Sequence, residues 1–72
     1  MGVNQLLSDL RDGNLSEAFE ASKELSRLSR APVKRIIAIL KEAGGVHNRE
    51  AAAYALSWIR RKKNAQVLGH RH

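Results

Sequence analysis

Four stretches of this chain place apolar side chains three and four positions apart, with glycine, proline or an amide side chain between them. That spacing restricts the fold to packed amphipathic helices. In the first stretch Val3, Leu6, Leu7 and Leu10 fall at i, i+3, i+4 and i+7, which predicts a helix over about 2–11. Asp12-Gly13 stops it, with Gly13 free to take a left-handed cap. Asn14 and Glu17 have the spacing of a capping box and predict a second helix over 15–29. Its expected stripe is Ala18, Ala21, Leu25 and Leu28, with Phe19 and Ser22 at the edges.

Pro32 suits a first helical position, so a third helix is expected over 32–43, with Val33, Ile36, Ile37 and Leu40 inward and Ile39 widening the stripe. Gly44-Gly45 is the clearest stop in the chain. Asn48 is the expected cap of a fourth helix over 48–63, whose inward residues are Ala52, Ala55, Leu56 and Ile59. Asn64 is then expected to cap a short new start, Ala65 to Leu68. There is no threonine and no strictly alternating run, so nothing argues for strands.

The stripes recur. A shift of 30 places Val3, Leu6, Leu7 and Leu10 on Val33, Ile36, Ile37 and Leu40, and a shift of 31 places Ala21, Leu25, Ser26 and Leu28 on Ala52, Leu56, Ser57 and Ile59. Two helix types alternate: a short one headed by valine, and a longer alanine-rich one ending Leu-Ser-x-Leu/Ile. Residues 51–59, Ala-Ala-Ala-Tyr-Ala-Leu-Ser-Trp-Ile, with Arg49 before them, resemble the first helix of a HEAT repeat of the short type also found in phycobilisome lyases. Residues 31–40 resemble its second helix. The resemblance spans residues 2–68, taken as a second helix, a full repeat, a first helix and a truncated start. The chain departs from the family at His47-Asn48, where an Asp is usual, and at Ser29-Arg30-Ala31 and Arg60 to Lys63, which replace an acidic, glycine-bearing link.

The resemblance implies an all-α fold, a four-helix alpha-alpha superhelix segment of about two HEAT-like hairpins, used as a binding scaffold. Such hairpins cover one another's apolar faces, and an array usually needs about three repeats. Two repeats imply either a closed four-helix cluster or flanks covered by a protein partner or a second copy. Residues 1–68 are expected as one domain and 69–72 as a flexible tail, natural or appended.

Seventy-two residues give one small core, and with no cysteine neither a disulfide nor a thiolate metal site reinforces it. Three scattered histidines suggest no metal. No nucleophile, base and orienting acid share a usable spacing, so the chain reads as a non-enzyme with no cofactor and no small-molecule substrate. His47 fits a capping or solvated role at a helix start. Glu17, Glu20 and Glu24 share a helix face but have Lys23 and Arg27 beside them, the pattern of a solvated charged surface. No apolar run approaches a membrane span, and the N-terminus carries neither a secretory nor a myristoylation pattern, so a cytoplasmic protein is expected.

Charge is uneven. Residues 1–24 carry a net −3, and residues 25–72 a net +9. Arg27, Arg30, Lys34 and Arg35 flank the second turn, and Arg60, Arg61, Lys62 and Lys63 end the fourth helix. If like helices stack in parallel, the two groups form one positive rim able to follow a phosphate backbone, as in HEAT-like DNA glycosylases. The plain alternative is solubilising charge that complements helix dipoles. Tyr54 and Trp58, one turn apart, are either an exposed protein-binding anchor together with Arg61 or part of the core edge. A protein-interaction module is therefore the first functional reading and a nucleic-acid-binding protein the second.

Overall fold

In the computed structural model, which describes residues 2–70 and the side chains as far as Lys62, the chain forms α1 (Val3–Asp12), α2 (Leu15–Arg27), α3 (Val33–Glu42) and α4 (Val46–His70). No strand occurs among the described residues.

Helix α1 buries Leu6, Leu7 and Leu10, while Val3 stays exposed at its first position. Gly13 follows with φ −73° and ψ 168°, an extended conformation open to any residue and not the left-handed cap expected. Space explains this glycine instead: an added Cβ would run into the Asp9 carbonyl and come within 2.9 Å of the Glu17 Cβ. The capping box forms as read. Glu17 N–H donates to Asn14 Oδ1 at 2.8 Å, and Asn14 N–H donates to Glu17 Oε1 at 3.0 Å.

Helix α2 ends at Arg27, two residues earlier than expected. At its far side Val33 N–H donates to the Ala31 carbonyl at 2.8 Å, closing a tight inverse turn around Pro32 (φ −78°, ψ 70°). Pro32 thus precedes α3 instead of opening it. Within α3 the core positions are Ile36 and Ile39, with Ile37 and Leu40 half-buried and Val33 exposed. Ile39, read as the edge of the stripe, lies nearer its centre.

Helix α4 departs most from the sequence reading. It runs unbroken to His70, so Asn64 caps no new start and Gly69 and His70 continue the helix. The physical reason is the absence of glycine and proline from 46 to 68. Arg71 and His72 lie outside the described residues. The helix starts at Val46, so Asn48 sits inside its first turn and does not cap it. Its Nδ2 instead donates to the carbonyls of Leu10 and Gly13, both at 2.9 Å. These carbonyls belong to the last turn of α1 and the residue after it, so one side chain ties the start of α4 to the end of α1.

The helices form two layers. Asn4 and Arg35, 31 positions apart, meet on α1 and α3, and Phe19 meets Tyr54 on α2 and α4. Within each layer the two helices run in the same direction. Short links make α1–α2 and α3–α4 packed hairpins. Helices α2 and α3, expected to form one full repeat, make no close backbone approach and lie diagonally across the cluster. Helices α2 and α4 pack on each other, and each buries small residues, Ala18, Ala21 and Ser22 on α2 and Ala51, Ala52 and Ala55 on α4. Small side chains allow close approach of the two backbones. Leu10, Leu25 and Ile36 are the largest fully buried apolar residues, each contributing about 1.5–3 kcal/mol of transfer free energy. Ser22, fully buried, donates its hydroxyl to the Phe19 carbonyl at 2.8 Å.

Candidate functional site

The close packing of α2 on α4 determines what lies above it. Once the small residues are buried, the next residues outward on each helix form the two walls of a groove. On α4 these are Tyr54, Trp58, Arg61 and Lys62, and on α2 they are Lys23, Ser26 and Arg27. The groove encloses about 730 Å³. Because the helices are parallel, the α4 wall runs from its aromatic rings to its cations alongside an α2 wall that carries Lys23 toward its N-terminal end and Arg27 toward its C-terminal end.

The rings form a ladder. Phe19 and Tyr54 meet edge to face with centroids 6.0 Å apart, and Tyr54 and Trp58 do the same at 6.1 Å. Both separations fall in the favourable range for aromatic pairs. The ladder is buried at one end only. Phe19 packs against the core, whereas Tyr54 is 37 % and Trp58 45 % exposed. Trp58 therefore belongs to the surface and not to the core edge. The Arg61 guanidinium carbon stands 5.7 Å from the Trp58 ring centroid, within cation–π range, which holds that charge at the rim of the aromatic surface.

Among the described residues, four cations and no carboxylate line the groove. Arg27 has a carboxylate neighbour in Glu24, one turn earlier at 3.7 Å, but both side chains are largely solvated and the pair is weak.

The eight basic residues expected to form one rim are divided. Arg27, Arg61 and Lys62 reach the groove. Arg30 lines an adjoining hollow with Ser29, Ala31 and Val33, where Ile59 forms the far side and Lys62 and Ser26 are shared with the groove. The second turn and the basic stretch of α4 do therefore meet there. Arg35 turns to the other layer, donating to Asn4 Oδ1 at 3.0 Å, on the opposite flank of the molecule. Lys34 and Arg60 are exposed but line none of these hollows. The Lys63 side chain lies outside the described residues. Because α4 continues past this stretch, residues 60–63 do not occupy a last helical turn, and helix-end complementarity does not account for them.

Lys23 and Ser26 were missed in the sequence. Their signal was present in the i, i+3, i+4 spacing of Lys23, Ser26 and Arg27, but its meaning depends on which helix lies alongside. His47 is exposed in the first turn of α4. No group of three or more metal-ligating side chains occurs among the described residues, and no described helix is long and apolar enough to cross a membrane. Compared with known proteins, the chain matches no family model, no curated protein and no solved structure.

Proposed function

We propose that this protein is a non-enzymatic helical-repeat interaction module, HEAT-like in stacking hairpins but with α1–α2 and α3–α4 as those hairpins, whose contact surface for a protein partner is the α2–α4 groove. The observation that carries the reading is the convergence in one concavity of two exposed aromatic rings with four cations. Tryptophan, tyrosine and arginine dominate protein-binding hot spots because each buries a large, stiff surface on contact. An exposed aromatic ladder anchored on the core supplies that surface already ordered, which lowers the entropic cost of binding.

The second reading, a nucleic-acid-binding protein, draws on the net charge of +6 and on the cations of the groove. It is weaker because a phosphate backbone is followed by an extended stripe, and here Arg35 faces the opposite layer, where it bonds Asn4.

The test uses immobilised protein in extract from the native host. The wild-type chain and a Tyr54→Ala/Trp58→Ala variant with an unchanged urea midpoint are compared. Retention of a protein by the wild type and its loss from the variant is the expected result. Equal retention by both removes the groove from the account.

A further inference from the structure

We propose that the occupant of the α2–α4 groove is a short acidic segment of a partner protein, in which carboxylates lie two or three residues from an apolar or aromatic anchor. This rests on the interaction reading above and gives it a chemistry.

The groups follow one another in a fixed order along the groove. The exposed faces of Tyr54 and Trp58 occupy one end, and Arg61 and Lys62 follow along α4, with Lys23 and Arg27 on the facing wall. One helical turn advances about 5.4 Å, so the centre of the aromatic pair and the cations are roughly 8 Å apart. An extended peptide advances about 3.3 Å per residue, so an anchor on the rings puts its second or third neighbour among the cations.

Each group in the groove has a role in that arrangement. The guanidinium of Arg61 is already placed by the Trp58 ring and presents its edge for a two-point bond to a carboxylate. Arg27 reaches Glu24 only at 3.7 Å, longer than a direct hydrogen bond, so an incoming carboxylate displaces little. The Ser26 hydroxyl donates to the Lys23 carbonyl at 2.7 Å and stays within its own helix, leaving the cations as the polar contacts for the guest.

Charge complementarity favours an acidic guest, since the described residues of the lining hold no carboxylate. The rings require more than charge, because a purely acidic chain leaves them uncovered. A nucleic-acid strand is disfavoured because Arg35 lies on the opposite flank, away from the cations described in the groove. A second copy would have to present its own carboxylates, of which Glu17 is engaged in the Asn14 cap.

Trp58 is the sole tryptophan, so its emission reports the site directly. Three probes of about ten units are titrated into the full chain at low salt: a peptide with one leucine followed by a cluster of Asp and Glu, poly-glutamate, and oligothymidylate. The expected result is a saturable emission shift with the anchored acidic peptide. Its affinity falls about tenfold or more for poly-glutamate, for an Arg61→Glu/Lys62→Glu variant and on raising salt from about 50 to about 500 mM. Circular dichroism and the urea midpoint establish that the variant is folded, both sites being solvent-exposed.

No shift at millimolar peptide overturns the proposal. So does poly-glutamate binding as well as the anchored peptide, oligothymidylate binding more tightly than either, or emission that follows protein concentration without a probe, which marks a second copy as the occupant. If the peptide fails while the Tyr54→Ala/Trp58→Ala variant still loses its partner from extract, the chemistry assigned here is wrong and the interaction reading stands.

Discussion

Asn48 has the greatest structural consequence of any polar side chain described. Its Nδ2 satisfies two carbonyls at the end of α1, groups that an unaided helix terminus leaves to water. Asn48→Ala removes both bonds and is expected to cost about 1–2 kcal/mol in urea unfolding. Asn48→Asp puts an acceptor against two acceptors and is expected to cost more than alanine at neutral pH. Gly13 is held by space and not by its backbone angles. Gly13→Ala should destabilise by about 1–3 kcal/mol, the range for overpacked sites, and an unchanged unfolding midpoint would contradict that account. Neither role was legible in the sequence. An asparagine three residues past a glycine pair reads as a cap, and a glycine after a helix reads as a left-handed turn. Only the packing of α4 on α1 shows what Asn48 is for, and only the closeness of α1 and α2 at their link shows what Gly13 is for.

Among the elements, α2 is the most legible and α4 the least. The Asn14–Glu17 box is a local pattern, and local patterns transfer directly from sequence to structure. Asn14→Ala should cost about 1 kcal/mol by thermal or urea unfolding. The end of α4 is hard to place from sequence because a cluster of cations resembles a helix terminus, whereas the chain carries no glycine or proline from 46 to 68 to stop the helix. Stripe centres were also placed imperfectly: Val3 and Val33 are exposed, whereas Ile39 and Ala51 are buried. Valine at the head of a helix lies beyond the reach of the opposing layer. The alanines of α2 and α4 define the spacing of their layer. Ala55→Leu is expected to cost about 1–3 kcal/mol and to broaden the amide spectrum of α2, since the added volume has no space to enter.

At the scale of the whole molecule, two hairpins close into two parallel layers, and the α2–α4 layer gathers aromatic rings and cations that lie far apart in sequence. The Tyr54–Trp58 spacing and the basic clusters were visible beforehand, but their joining with Lys23 and Arg27, and the removal of Arg35 to the other layer, depend on the packing. A core this small has little reserve. Leu25→Ala should remove about 2–5 kcal/mol and leave the chain largely unfolded at physiological temperature, as read by circular dichroism. The most direct test of the central claim is the amide spectrum of isotopically labelled protein, recorded in buffer and then in concentrated extract of its native host. The account predicts shifts or broadening at residues 23, 26, 27, 54, 58 and 61, with residues 4, 35 and 38 of the other layer unmoved. Perturbation centred on α1 and α3, or a spectrum identical in both media, would contradict it.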